Sequence, residues 1–332
     1  MRKTMHAMTV QRPGGPEVLQ LREVPRPEPR EGWTLVRVMA FGLNRSELFT
    51  RRGMSPTVSF PRVLGIECVG VVEQSHDPGL PEGTTVAAAM GGMGRQFDGS
   101  YAEFALLPTA QLMPVRTKLP WSALAAIPES YLTAYGSLEA LRLRPGHRLL
   151  IRAATSSVGM AALALSAGLE VEVACTTRDP GKVESLREHG ADQVILDRGG
   201  SIGEHVRAIW RDGADRVLDL VGGGTVLDSL RVLAPGGSVC NSGILSDTWV
   251  MPAFEPLEDI PSGATLTTFS SSAINTGAWA RLALQDILGQ VETGSCRSVI
   301  DRIFPLEELA AAHHHMETNQ ALGKVVAVVH HP

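Results

Sequence analysis

Between residues 148 and 270, short apolar runs alternate with stretches whose apolar positions recur at helical spacing. Residues 149–151 form one such run, six mostly small or polar residues follow, and then Val158, Ala161, Ala162 and Leu165 fall on one helical face. Gly168 stops that helix, and residues 171–174 supply the next strand. The alternation continues with a helix near 180–189, a strand at 194–196 and a helix at 202–210. A strand at 216–220, a helix near 225–233 and strands at 238–242 and 265–269 complete it. Six strands separated by helical crossovers predict a parallel, doubly wound α/β sheet.

Residues 1–126 have a different texture. Strand-like runs at 5–10 and 18–21 flank the turn Arg12-Pro-Gly-Gly-Pro16, and others follow at 33–40, 69–72, 86–89 and 102–107. Short strands punctuated by Gly and Pro predict a barrel-like β domain. A short polar helix is expected from Asn44 to about Arg52, and the Gly/Met-rich stretch 90–94 reads as a mobile lip. Beyond 270 the pattern gives a helix at about 278–291, a strand near Val299, a helix at 306–316 and a closing strand at 325–329. The easiest partner for that last strand lies in the N-terminal β region. The expected organisation is therefore 1–126 and 271–332 as one discontinuous domain, with 127–270 inserted in it.

The turn Ala153-Ala-Thr-Ser-Ser-Val-Gly159 opens a helix directly after a strand, where unpaired N–H groups and the helix dipole can hold a pyrophosphate. It lacks the G-x-G-x-x-G fingerprint and has Ala153-x-x-Ser156-x-x-Gly159 instead, so an ordinary serine-capped turn fits the same residues. An NAD site wants an acid about 20 residues further on. The strand tip here reads Ala174-Cys-Thr-Thr-Arg178, and Arg178 with Lys182 suits a 2′-phosphate, which favours NADPH. The plain alternatives are a surface charge at Arg178 and a helix start at Asp179-Pro180. Gly222-Gly223-Gly224 fits a cofactor groove or a simple crossover turn.

Composition narrows the classes. A chain of 332 residues, 44% hydrophobic and 20% charged, is globular and long enough for two cores. A net charge of −5 gives no reason to expect nucleic acid. No apolar run reaches membrane-spanning length and no signal-peptide core follows the first residues, so a cytoplasmic location is expected. The four cysteines lie far apart and read as buried thiols in a reducing compartment. The histidines of His313-His-His315 are adjacent, so on a helix they point in different directions and do not form a ligand set; His330-His331 is treated alike.

Taken together, the residues resemble the medium-chain dehydrogenase/reductase superfamily, and within it the zinc-free, zeta-crystallin-like quinone oxidoreductase branch. The matching stretches run in order: Arg12-Pro-Gly-Gly-Pro-Glu-Val-Leu19, Gly42-Leu-Asn44, Leu64-Gly-Ile-Glu67, Gly99-Ser-Tyr-Ala-Glu-Phe104, Leu132-Thr-Ala-Tyr135 and the 153–159 turn. Val217-Leu-Asp-Leu-Val-Gly222, Leu233-Ala-Pro-Gly-Gly237, Phe304-Pro-Leu-Glu-Glu308 and Gly323-Lys-Val-Val326 continue the series. The resemblance implies a GroES-like β-barrel catalytic domain, a six-stranded Rossmann domain, NADPH, and a homodimer joined through the Rossmann sheets. Zinc-containing members have a cysteine at the Asn44 position, a histidine at the Ile66 position and a cysteine cluster that 85–115 lacks. A catalytic zinc needs about three protein ligands, so no metal is expected.

The resemblance also assigns roles. It puts Asn44 beside the nicotinamide with Thr133 nearby, Ser156, Ser157 and Val158 at the pyrophosphate, and Thr176, Arg178 and Lys182 at the adenosine phosphate. Gly243, Ile244, Phe269 and a turn holding Asn319 and Lys324 close over the rest. The plain readings are a helix hydroxyl for Thr133, core for Ile244 and Phe269, and surface for Lys324. Asn44, Ser46 and Arg52 are the catalytic candidates: an amide donor, a hydroxyl for a ribose or substrate oxygen, and an electrostatic stabiliser. Arg51 and Arg52 also read as a solvated helix face, and Glu67 as a loop anchor. Related enoyl-thioester reductases use a tyrosine soon after the asparagine, and none lies between Asn44 and Glu67 here. The function implied is reduction of a quinone or other activated carbonyl compound by NADPH. A low-turnover NADPH-binding protein and a zinc-type alcohol dehydrogenase are the alternatives.

Overall fold

The computed structural model describes residues 3–251, 253–275 and 278–331. The chain begins with strands β1 (Thr4–Val10), β2 (Leu19–Pro25) and β3 (Trp33–Leu43), then helix α1 (Arg45–Arg51). Strands β4 (Arg62–Val63), β5 (Glu67–Gln74), β6 (Thr85–Ala89), β7 (Phe104–Pro108) and β8 (Met113–Pro114) lead to α2 (Trp121–Ala125). An alternating region follows: α3 (Pro128–Ala140), β9 (Arg148–Arg152), α4 (Ser157–Ser166), β10 (Glu172–Thr177), α5 (Val183–Glu188), β11 (Gln193–Leu196) and α6 (Gly203–Ile209). It ends with β12 (Ala214–Asp219), α7 (Val226–Arg231), β13 (Leu233–Asn241), α8 (Pro256–Asp259) and β14 (Thr265–Thr268). The last elements are α9 (Trp279–Thr293), β15 (Ile300–Pro305), α10 (Leu309–Glu317) and β16 (Lys324–Val328).

These elements form two compact units. One comprises Met1–Glu129, Ile274–Thr293 and Ile300–Pro332, the other Ser130–Ala273 and Gly294–Val299. The first unit is a β domain built on β3, eight of whose 11 residues are buried. β3 pairs antiparallel with β5, β7 and β16, and its register against β5 shifts at Leu35/Val36 and Val38/Ala40. Such bulges bend a strand and help a sheet to curl. The full order is β15-β16-β3-β5-β6-β8, with β7 on β3 and a separate sheet β2-β1-β4. Val36, Val38, Phe41 and Leu43 pack with Met8, Leu64, Tyr101, Leu107 and Val325 in one core. The closing strand finds the partner expected of it, with Val325 opposite Leu43 and Val328 opposite Ala40.

The second unit holds a six-stranded sheet in the order β11-β10-β9-β12-β13-β14, and every pairing in it is parallel. The order reverses at β9, which lies between β10 and β12, and this is where doubly wound sheets open a ligand crevice. Leu150, Ala174, Val217 and Val239, one from each of four central strands, share its core with Ile195.

Two expectations are corrected. Helix α1 is not a solvated polar face: Glu47, Leu48, Phe49, Thr50 and Arg51 are all buried, because its charged residues have partners inside the unit. The 90–94 stretch is pinned rather than loose. Met93 is in the core, Gln111 Nε2 donates to Gly91 O at 2.9 Å, and Asn275 Nδ2 donates to Ala89 O at 2.6 Å. Among the described residues no helix is long and apolar enough to cross a membrane.

Candidate active site

In the second unit the 153–159 turn is fastened by hydrogen bonds of its own. Ala153 sits in the left-handed region (φ 58°), the conformation a first glycine would otherwise supply. Its N–H donates to Thr176 Oγ1 and that of Ala154 to Thr176 O, both at 3.1 Å. Thr176 is buried, and its hydroxyl braces the turn. Ser156 Oγ accepts from Gly159 N at 3.2 Å and donates to Ala153 O at 2.9 Å, capping α4. A Cβ on Gly159 would lie 2.6 Å from Ala154 O, so only glycine lets the helix approach the turn this closely. The first-turn N–H groups of Ser157 and Val158 have no acceptor among the described residues and remain open to an anion.

One strand over, Arg178 stands exposed at the end of β10 with no ion pair or hydrogen bond among the described residues. Lys182 is half-buried four residues on. Asp179 caps the following turn, accepting from Gly181 N at 2.8 Å, as the sequence suggests. Open N–H groups, a glycine-only contact and an unpaired guanidinium fit a dinucleotide with a phosphate beside β10.

The strand ends next to this turn carry charges that sequence reading missed. Arg152, wholly buried, lies between Asp197 Oδ2 at 2.7 Å and Asp228 Oδ2 at 2.8 Å. Asp219 accepts from Val221 N (2.9 Å), Gly222 N (3.0 Å) and Ser229 Oγ (2.6 Å), so the triple glycine is a crossover turn tied to its own strand. A Cβ on Gly222 would lie 2.8 Å from Gly243 O, and one on Gly243 would lie 2.3 Å from Leu220 O. Ile244 and Phe269 are half-buried beside that turn, and the Phe269 ring fills the space over Gly136, where a Cβ would lie 2.1 Å from Cζ. Ser137 Oγ is 2.7 Å from Thr133 O and 2.8 Å from Ser242 Oγ. Thr133, Gly243, Ile244 and Phe269 are thus brought to one region at the end of β13.

The first unit places a buried polar cluster at the start of α1. Asn44 caps the helix: its N–H donates to Glu47 Oε2 at 2.9 Å and its amide Nδ2 to Glu67 Oε1 at 2.9 Å. Lys324 Nζ donates to Asn44 Oδ1 at 2.6 Å and pairs with Glu67 at 2.6 Å and Glu129 at 3.8 Å. Glu67 also accepts from Glu129 N at 3.0 Å, which makes it an anchor. Gly42 makes room for this, since a Cβ there would lie 2.2 Å from Lys324 Cε. Lys324 is therefore neither a surface residue nor free to reach a coenzyme with its ammonium. Burial opposes its charge, but Glu67, Glu129 and Glu47 together hold its pKa above the usual lysine value.

Burial, reinforced by the Glu67 charge, pushes the Glu47 carboxyl up to about 8 from an ordinary 4.5. Between those values the folded protein keeps a proton that the unfolded chain has released. This group therefore lowers stability as pH rises through that window, by up to about 1.4 kcal/mol per pH unit. Glu47→Gln is expected to remove that component. Urea unfolding at several pH values across the window, in both proteins, reads it directly, and parallel profiles would show that Glu47 is ionised in the fold.

Arg51 is fully buried, against the expectation of a solvated face. Its Nε donates to Gly14 O at 3.1 Å, one Nη to His313 Nδ1 at 3.1 Å, and the other to Glu317. Arginine only donates, so His313 Nδ1 accepts and its Nε2 carries the hydrogen given to Tyr101 Oη at 2.9 Å. Burial and the Arg51 charge push His313 down to about 3. His315 meets Asp301 at 2.6 Å while His314 is exposed, so the three histidines do diverge. Arg52 pairs with Glu317 at 2.8 Å, and Asn319 (φ 56°) accepts from Arg45. Ser46 Oγ accepts from Arg95 at 3.0 Å, a neighbour not foreseen. Among the described residues no three His, Cys, Asp or Glu side chains converge on a metal position; Ile66 is in the core, and the four cysteines are buried and free.

Residues 30–117 match the alcohol dehydrogenase GroES-like domain family, and residues 189–327 match the zinc-binding dehydrogenase family. The chain belongs to the medium-chain dehydrogenase/reductase superfamily. Members of this superfamily are oxidoreductases that use NAD(P)H. The chain is 29% identical over 330 residues to a quinone oxidoreductase of Pseudomonas aeruginosa, covering 94% of this chain and 96% of that one. It is also 29% identical over 329 residues to a phenolphthiocerol/phthiocerol polyketide synthase of Mycobacterium tuberculosis, covering 96% of this chain and only 14% of that longer protein. The structure of mycobacterial Rv1454c complexed with NADPH superposes with a TM-score of 0.87 at 26% identity, covering 98% and 99% of the two chains.

Proposed function

We propose that the protein is a zinc-independent, NADPH-dependent reductase of quinones or other conjugated carbonyl compounds. The observation that carries it is the open first turn of α4 together with the unpaired Arg178 at the tip of the next strand. Ser156, Ser157 and Val158 would hold the pyrophosphate, and Arg178 with Lys182 the 2′-phosphate. Thr133, Gly243, Ile244 and Phe269 would line the nicotinamide end. When bound, NADPH supplies hydride, and the protein supplies position, electrostatics and exclusion of water.

A conjugated carbonyl spreads the incoming charge onto oxygen, so hydrogen-bond donors can replace a metal there. Ser46 is the first candidate donor and Arg52 a second, electrostatic one. Asn44, whose amide is oriented by Lys324 and Glu67, would fix the start of α1 beside them. No tyrosine stands between Asn44 and Glu67, so the proton would come from solvent. The same reading makes the protein a cytoplasmic homodimer joined through the six-stranded sheets, whose edge strand β14 pairs only with β13 among the described residues.

Following NADPH oxidation with a panel of quinones, enones, aldehydes and an enoyl thioester tests the reading. Chelator-insensitive, quinone-dependent oxidation is expected. Tight NADPH binding without turnover of any acceptor would leave a low-turnover binding protein, and chelator-sensitive alcohol oxidation would restore a zinc enzyme. Arg178→Ala should lower the NADPH-over-NADH preference roughly 10- to 100-fold, the loss of a charge-assisted contact worth about 1.5–3 kcal/mol. Equal KM ratios for the two coenzymes before and after the change would remove the 2′-phosphate assignment.

A further inference from the structure

The loop between β6 and β7 carries Arg95, an arginine of the first unit with a single side-chain partner among the described residues. Met90, Gly91, Gly92 and Gly94 are all in the left-handed region (φ 65°, 63°, 92° and 72°), folding the chain back tightly. Gly94 packs so closely that a Cβ would lie 2.6 Å from Gly65 O, and Gly92 O accepts from Arg95 N at 3.1 Å and Gln96 N at 2.8 Å. This clamp sends the Arg95 side chain to the first turn of α1, where it donates to Ser46 Oγ at 3.0 Å.

Ser46 is the only side chain to which Arg95 is bonded among the described residues. No carboxylate among them comes within ion-pair distance, and Nε is shut off from solvent with no acceptor. Other arginines of the same unit are matched: Arg26 with Glu73, Arg51 and Arg52 with Glu317, Arg62 with Asp98. A half-buried guanidinium that has lost part of its hydration and gained no counter-charge is costly, unless an anion completes it. Its planar fork matches a carboxylate, while Ser46 Oγ, by accepting from Arg95, keeps its one hydrogen for the acceptor's carbonyl oxygen.

We infer that Arg95, held in place by its bond to Ser46 Oγ, forms a recognition site for a carboxylate carried by the acceptor, which makes the preferred substrate an anionic conjugated carbonyl compound. The inference rests on the reductase reading for the acceptor's chemistry, while the anion site itself stands on the geometry. The coenzyme's phosphates are the other source of negative charge, and the experiment separates the two.

The test compares kcat/KM for a neutral naphthoquinone and a carboxylated naphthoquinone in the wild type, Arg95→Leu and Arg95→Lys, together with the Kd for NADPH. The anionic-over-neutral ratio should fall about 10- to 100-fold in the leucine variant and recover in part in the lysine variant. An unchanged ratio overturns the inference, and an unchanged ratio with weakened NADPH binding assigns Arg95 to the coenzyme instead. If no quinone is reduced, the reductase reading fails separately. Calorimetric titration of the carboxylated naphthoquinone then decides: binding lost in Arg95→Leu sustains the anion site, and equal or absent binding in both proteins overturns it.

Discussion

Lys324→Met is expected to destabilise the first unit by about 3–5 kcal/mol, because it leaves a buried carboxylate without its counter-charge. Glu67, 1% exposed, would lose the ammonium at 2.6 Å, and Asn44 Oδ1 would lose its donor. Methionine fills similar volume, so the loss would be electrostatic rather than a cavity. The urea midpoint at neutral pH measures it. The double variant Lys324→Met/Glu67→Gln should recover part of the loss, since the two side chains belong to one cluster and their effects do not add. A wild-type midpoint in the single variant would mean that the cluster is neutral without its lysine.

Arg152→Leu should cost the second unit about 3 kcal/mol, the lower end of the range for breaking buried pairs. The arginine is fully buried, but Asp197 and Asp228 keep partial access to solvent and can rehydrate. The change falls at the end of β9, immediately before the 153–159 turn. Thermal unfolding with and without NADPH separates two effects: a lower midpoint without coenzyme reports the lost pairs, and a smaller upward shift on adding it reports damage to the turn. Full retention of both would show that Asp197 and Asp228 do not depend on Arg152.

The periodic parts of the chain were legible. Six buried strands between helices leave a strong apolar rhythm, and residues 149–151, 171–174 and 216–220 all lie within or overlap strands of the parallel sheet. Where a helix is buried on nearly every side and mixes polar with apolar residues, the rhythm vanishes. That is why α2 and α3, with Leu132, Ala134 and Leu138 all buried, did not stand out. The β4 and β8 strands are two residues each, too short for any period to register.

The charged interior was the least readable part of the site. Arg51, Arg152, His313 and Lys324 look like surface residues in a linear sequence, and their burial depends on partners 262, 45, 212 and 280 positions away, respectively. Local signals did locate Asn44 as a helix start and Asp179 as a cap, since a capping residue meets its own next turn. Arg95 had no such signal. Its meaning comes from a carboxylate that is missing around it, and absence of a partner cannot be read along one chain.

The division of the sheets between early and late sequence also orders their assembly. A nascent chain leaving the ribosome has all six strands of the parallel sheet once β14 has emerged, whereas β3 must wait for β16 to cover its far edge. Synthesis proceeds at about 5–20 residues per second, so that edge stays open and the Glu67 carboxylate stays without its lysine for tens of seconds. During that interval the incomplete barrel offers an open template for strand pairing with neighbours, and it is the half of the protein in which chaperone protection would matter most.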